Sequence, residues 1–252
     1  MPETNSSTVF RLEDVSVSFE RHAVTGRSLK YSLAHLMKRK EVRRFHALVG
    51  ISLHIQEGEQ VGVIGRNGAG KSTLLKVLTK VITPQEGKVH LNGHYRIAPL
   101  LELGIGFQPD LSGRENCYLA GTLMGYSSDE IHSKIGSILE FSELGEFFDE
   151  PVKAYSTGMF ARLAFALATD IEPEVLLVDE VFGVGDEFFM RKCIVRMQRL
   201  IQAGSTTVFV SHNIDFLINQ CNRLIWLDRG RVEMDGKPEE VAIAYRQSEA
   251  LH

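Results

Sequence analysis

The chain has 252 residues, 44% hydrophobic and 24% charged, a composition that suits an ordinary globular protein and argues against a disordered or fibrous one. Its formal net charge of -4, from 28 basic and 32 acidic side chains, argues against a protein that coats nucleic acid. Cys117, Cys193 and Cys221 lie far apart without a CxxC pair, which argues against a disulfide framework or zinc site and suits a reducing cytoplasm.

The opening "MPETNSSTVFRLED" lacks the basic start and apolar core of a secretory signal. No apolar run approaches the roughly 20 residues needed to cross a bilayer, so work at a membrane would go through a partner. The first strand-like stretch is "VSVSF", Val15 to Phe19. A basic insertion over 20–46 follows. From Thr25 to Phe45 it is amphipathic at its start, with Leu29, Leu33 and Leu36 near helical spacing, and strongly basic at its end. It reads either as a solvated basic helix or as an element near an anionic membrane surface.

"QVGVIG", Gln60 to Gly65, is a short apolar strand that runs into "GRNGAGKST", Gly65 to Thr73, and a helical pattern begins after Gly70. Between Ser112 and Glu150 the pattern turns helical. Ser127 and Glu130 form a capping box ahead of Ile131, Ile135 and Ile138 on one face. "AYSTGMFARLAFALA", Ala154 to Ala168, begins another helix with Ser156 as N-cap. "VLLVDE", Val175 to Glu180, and "TTVFVSH", Thr206 to His212, are continuous apolar runs, as expected of strands buried on both faces of a parallel sheet. "RLIWLD", Arg223 to Asp228, enters an antiparallel hairpin through Asp-Arg-Gly, and "PEEVAIAYR" forms a helical tail. The alternation predicts an α/β domain, 1–252, with a mostly parallel sheet, some antiparallel strands and a helical subdomain inserted near 112–170.

The chemistry starts at "GRNGAGKST", which satisfies G-x-x-x-x-G-K-[ST] between a strand and a helix. Gly65, Arg66, Asn67, Gly68, Ala69 and Gly70 would close backbone N–H groups around phosphates, and the helix N-terminus adds a favourable dipole. Lys71 would reach the β- and γ-phosphates and Ser72 would hold Mg²⁺, with Thr73 next in the helix. Asp179, ending a buried strand, would meet the same Mg²⁺ through water, and Glu180 would polarise the attacking water. His212 ends another strand, whose C-terminal edge a parallel sheet brings beside the P-loop. The small entrance Ser156-Thr157-Gly158 reads as a second anion-facing helix end. With one phosphate site already in the chain, it makes sense facing a nucleotide bound to another copy.

Taken in this order, the motifs resemble those of the ATP-binding-cassette (ABC) ATPases over nearly the whole chain, from about Val9 onward. The resemblance implies that ATP and Mg²⁺ are bound, that two copies pair head to tail, and that "YSTGM", Tyr155 to Met159, stands where the family has LSGGQ. Ser156 and Gly158 then occupy the γ-phosphate positions of the partner's site, and "GVGD", with Gly185 and Asp186, falls at the D-loop. Tyr155, Thr157 and Met159 depart from the family pattern. Glu102 and Gln108 are both candidates for the Q-loop residue, and Phe45, with Phe19 behind it, for the aromatic that stacks on adenine.

"LLELGIGF", "YSTGMFARLAFALA" and "VFGVGDEFFMRKC" together resemble the branch whose ATPases export bacterial surface polysaccharides such as O-antigen and teichoic-acid precursors. The resemblance implies an ATP-hydrolysing subunit on the cytoplasmic face of the bacterial inner membrane. It would be peripheral there, paired with a second copy and with an integral membrane permease, and would drive a lipid-linked glycan. The alternatives are the ATPase of another ABC transporter, importer or drug or lipid exporter, and, further off, a soluble ABC ATPase. Neither the long coiled-coil arms nor the tandem cassettes of the soluble types are seen, and no nucleic-acid partner is expected.

Overall fold

A computed structural model of the chain describes residues 8–21, 43–100, 104, 106–179 and 187–250. The chain opens with β1 (Thr8–Arg21), β2 (Arg43–Gln56) and the central strand β3 (Gln60–Ile64), then α1 (Lys71–Leu78), β4 (Glu86–Leu91) and β5 (Ile97–Leu100). Three helices follow, α2 (Gly113–Leu123), α3 (Ser128–Ser142) and α4 (Thr157–Asp170), with short 3-10 turns at Gly145–Asp149 and Val152–Ala154. The last part alternates: β6 (Val175–Asp179), α5 (Glu187–Gln202), β7 (Thr206–Val210), α6 (Ile214–Gln220), β8 (Arg223–Asp228), β9 (Arg231–Gly236) and α7 (Pro238–Ala250). The fold class is therefore α/β with antiparallel additions.

Two sheets are built. The larger has the order β5-β6-β7-β3-β8-β9. Its members from β5 to β8 are parallel, and β9 closes the edge as an antiparallel hairpin with β8. That hairpin turns at Arg229 and Gly230, whose φ angles of 45° and 78° are both positive, the conformation that matches the twist of paired strands. The smaller sheet, β2-β1-β4, is wholly antiparallel.

The central strands β3, β6 and β7 are buried on both faces because they are nearly continuous runs of apolar residues whose side chains alternate in direction. Val61 and Val63 of β3, Val175 and Leu177 of β6, and Val208 and Val210 of β7 face one core. They share it with Leu74, Leu75 and Leu78 of α1 and with Val15, Val17, Leu48 and Ile51 of the small sheet. Leu176, Val178 and Phe209 face the opposite core, formed with Leu163 and Leu167 of α4 and Phe189 and Met197 of α5. Each fully buried side chain of this kind contributes about 1.5–3 kcal/mol. The sheet is thus a wall between two cores, and its C-terminal edge is held from both sides.

The helical layer between β5 and β6 starts two of its three helices with capping boxes. Ser127 and Glu130 cap α3, and Ser112 and Glu115 cap α2 in the same way. At each, the serine hydroxyl accepts from the glutamate N–H and the carboxylate accepts from the serine N–H; Glu115 Oε2 lies 2.8 Å from Ser112 N. Arg114 closes the layer with a two-pronged contact to Asp149, at 2.6 and 3.1 Å.

The structure also contains strands that the periodicity does not announce: β2, β4 and β5. Of the basic insertion, 20–21 and 43–46 lie in β1 and β2, which pair through Glu20 and Arg44. Residues 22–42, with the amphipathic stretch from Thr25, lie outside the described residues.

Candidate nucleotide site

β3 ends at Ile64 and the chain passes through Gly65–Gly70 into α1. Two glycines are demanded by this path. Gly65 has φ 150°, and a Cβ there would lie 2.2 Å from the Leu227 carbonyl oxygen; Gly70 has φ 108°, and a Cβ would lie 2.4 Å from the Ala47 carbonyl oxygen. The loop is pressed flat between β8 and β2, which only glycine permits. Gly70 is also the N-cap of α1 and supplies no side-chain hydrogen bond. The first N–H groups of that helix are therefore not claimed by a capping side chain.

Lys71 is 7% exposed, and its ammonium reaches back over the loop to donate to the carbonyls of Gly65, at 2.7 Å, and Arg66, at 3.2 Å. The parallel register then sets its neighbours. Val63 stands beside Val210 of β7, and Val210 beside Asp179 of β6, so Asp179 lies on the same edge of the sheet as the P-loop. His212 comes two residues after β7. Its turn is pinned by Asn213 N–H donating to Ser211 Oγ at 3.1 Å and by the Asn213 side chain capping α6 at Phe216 N, 2.9 Å.

These elements enclose a cleft of about 190 Å³ lined by Phe45, Ala47, Asn67, Gly68, Gly70, Lys71, Ser72, Thr73, Asp179 and His212. Gly65, Arg66 and Ala69 complete the loop beneath it. Sequence reasoning did not single out Ala47, a buried small residue against which Gly70 packs. Its only signal was a small residue two positions after Phe45. Phe19 pairs with Phe45 across β1 and β2 and both are exposed, but only Phe45 lines the cleft.

Ser72 and Asp179 bring one hydroxyl and one carboxylate to the cleft. Among the described residues no group of three or more His, Cys, Asp or Glu forms a metal cage. One or two protein oxygens, with the remaining positions left to phosphate oxygens and water, is the donor set Mg²⁺ accepts, so the residues fit it.

The signature segment lies elsewhere. Ser156 caps α4, its Oγ accepting from Met159 N at 3.2 Å. Tyr155 is held from behind: its hydroxyl donates to the Phe147 carbonyl at 2.7 Å and covers Gly113, where a Cβ would lie 2.3 Å from it. Burial pushes the Tyr155 hydroxyl up to about 12. Ser156 and Thr157 are exposed. A Cβ on Gly158 would meet nothing nearer than Ser156 Oγ at 3.9 Å, and its φ is not positive. Neither its own backbone nor its own neighbours require glycine there. None of Tyr155–Met159 lines the cleft.

Of the remaining candidates, Gln108 is exposed and away from the cleft, its backbone N–H and C=O both held by the Asn116 side chain at 2.7 and 3.1 Å. Glu102, Glu180, Gly185 and Asp186 lie outside the described residues.

Residues 48–183 match the family model described as "ABC transporter". The whole chain is 42% identical to an O-antigen export system ATP-binding protein of Myxococcus xanthus and spans 58% of that relative's length. Over 82% of the chain it is 44% identical to an O-antigen export system ATP-binding protein of Klebsiella pneumoniae, covering 84% of it. A teichoic acids export ATP-binding protein of Lactococcus lactis is 42% identical over 82% of the chain, which covers 44% of that protein. Among solved structures, a dimeric ATP-binding cassette bound to ADP and Pi shares the fold with a TM-score of 0.71 at 24% identity, over 91% of this chain and 98% of that one. An ATP-binding subunit of an ABC transporter does so with a TM-score of 0.73 at 21% identity, over 94% and 93%.

Proposed function

The chain belongs to the ABC transporter family, and from that premise we propose that it is the ATP-hydrolysing subunit of an exporter of lipid-linked bacterial surface polysaccharide. The observation that carries the proposal is the 42% identity to an O-antigen export ATP-binding protein along the chain's full length. The cleft supplies the chemistry. The uncapped start of α1 and the Lys71 ammonium bind the nucleotide phosphates. Ser72 and Asp179 hold Mg²⁺, which when bound offsets the negative charge on the phosphate oxygens. Phe45 takes the adenine face. Glu180, next in the chain after Asp179, accepts a proton from the attacking water, and His212 contacts the γ-phosphate from the next strand.

Ser156 and Gly158 complete the site of a second copy. Ser156 Oγ already accepts a bond from its own helix, so its O–H remains to donate outward, and the bare Gly158 lets the phosphate approach the backbone. Two copies closing on two nucleotides would move the helical layers against an integral membrane permease, placing the pair at the cytoplasmic face of the membrane. Among the described residues no helix is long and apolar enough to cross a bilayer.

Affinity purification of the tagged protein from its native membranes in mild detergent tests this. The expected co-purifying protein is one multi-spanning subunit, with ATP turnover raised by lipid-linked glycan. A solute-binding protein in the complex would replace export by import, and recovery with a soluble assembly alone would remove transport altogether.

A further inference from the structure

Two acidic side chains in the helical layer sit where local physical chemistry disfavours them. Glu143 terminates α3 with φ 57° and ψ 31°, a left-handed conformation that costs a non-glycine residue about 1 kcal/mol or more. Asp170 is the last residue of α4, 5% exposed, at the helix end whose dipole repels negative charge. Both tie together the same three helices. The Glu143 carboxylate lies 2.9 Å from Arg162 of α4 and 2.6 Å from Lys192 of α5. Asp170 accepts from Ser137 of α3 and from Arg196 of α5.

Between these ties lie Phe141, Phe165 and Phe189, one ring from each helix, with centroids 5.5 to 6.4 Å apart. The same cations cover the rings: Arg162 stands 4.7 Å from the Phe189 centroid, and Lys192 and Arg196 stand 4.8 and 4.5 Å from that of Phe141. Hydrogen bonding to Lys192, then the charges of Lys192 and Arg162, hold the Glu143 carboxyl below its usual range, so it is ionised at neutral pH.

A residue that breaks a local rule while serving contacts at longer range is explained by those contacts. α4 carries the signature entrance at its N-terminus, and α5 is the helix that follows the Asp179 strand. We infer that Glu143 and Asp170 are positioning residues that set the direction of the signature helix relative to the Asp179 strand, so that Ser156 and Gly158 reach the nucleotide of a second copy. This rests on the proposed pairing of two copies.

The test compares wild type with Glu143→Gly and Glu143→Gln. Glycine removes the left-handed strain along with the carboxylate, whereas glutamine keeps the strain and the length but loses the charge. The measurements are ATP affinity of the monomer, ATP-driven pairing by sedimentation, steady-state kcat and KM, and the thermal midpoint. The expected result is monomer affinity unchanged, pairing weakened and kcat lowered about tenfold or more in both variants, since small misplacements of a remote element can reach a hundredfold. If Glu143→Gly does not fold, Glu143→Gln carries the same comparison. A lowered thermal midpoint with pairing and kcat intact would make the cluster merely structural and overturn the inference. Variants that pair as wild type does overturn it alone; a wild type that never pairs with ATP overturns the proposed function with it.

Discussion

The helices α1 and α4 both begin on glycine or small polar residues, and they begin in opposite ways. α1 starts at Gly70, with no side-chain cap, under a buried lysine and against a cleft whose other wall comes from neighbouring strands. α4 starts at Ser156, which caps it through its own side chain, is exposed and does not line the cleft. The first needs its glycines, because the Leu227 and Ala47 carbonyls leave no room for a Cβ at Gly65 or Gly70. The second has room for a side chain at Gly158 and does without one. Glycine at α1 is explained by the fold, while glycine at α4 has no such local cause and supports the proposal that a second copy's nucleotide meets it. On the proposed function the site has two halves, one within a single chain and one that acts on a neighbour.

The largest expected effect breaks the complete half after binding. Glu180→Gln should lower turnover about 10²- to 10⁴-fold, the usual contribution of a positioned general base, while ATP affinity stays and a paired form accumulates. Stopped-flow phosphate release with sedimentation checks both, and near-normal turnover would remove Glu180 from its role. Next, Lys71→Ala removes a charged donor from the cleft and should lower kcat/KM about 10²-fold, with loss of nucleotide affinity measurable by calorimetry.

The other half responds differently. Gly158→Trp should leave monomer ATP affinity and thermal stability close to wild type, within about 0.5 kcal/mol, because the position is open. It should nevertheless abolish ATP-driven pairing. The smallest effect is on stability: Ser156→Ala removes the cap of α4 and should cost about 1 kcal/mol by denaturant titration, alongside the loss of its outward donor to the second copy. If Gly158→Trp weakens monomer binding, the two halves belong to one site in one chain and the contrast collapses.

The features legible in the sequence were those where chemistry demands a spelled pattern. The P-loop showed in full because its glycines and lysine have no substitutes at those spacings. The three central strands showed because both their faces are buried, so β6 and β7 read as uninterrupted apolar runs. The Ser127–Glu130 box stands ahead of a clean stripe of isoleucines and was visible. The same spacing at Ser112–Glu115 starts α2, whose apolar face is less regular, and it did not stand out. β4, "EGKVHL", is mostly exposed, so its composition resembles a loop. β5, "IAPL", is four residues long with Pro99 inside it, tolerated because β5 is the edge of its sheet. β2 is long but broken by bulges against β1, which blurs its alternation.

At the site, the parallel-sheet reading already put Asp179 and His212 beside the P-loop, and the strand order β6-β7-β3 is what the structure adds. Nor does any local pattern predict the ties at Glu143 and Asp170, because their partners lie on other helices.

One measurement tests the central claim most directly: mixing purified Lys71→Ala with purified Gly158→Trp, each inactive alone, and assaying ATP hydrolysis of the mixture. If the halves act between copies, a mixed pair contains one intact site, with the P-loop of the Gly158→Trp chain and the signature of the Lys71→Ala chain, and activity should appear that neither preparation has. A mixture no more active than its components, with mixed pairs demonstrated by differential tags, would contradict the account.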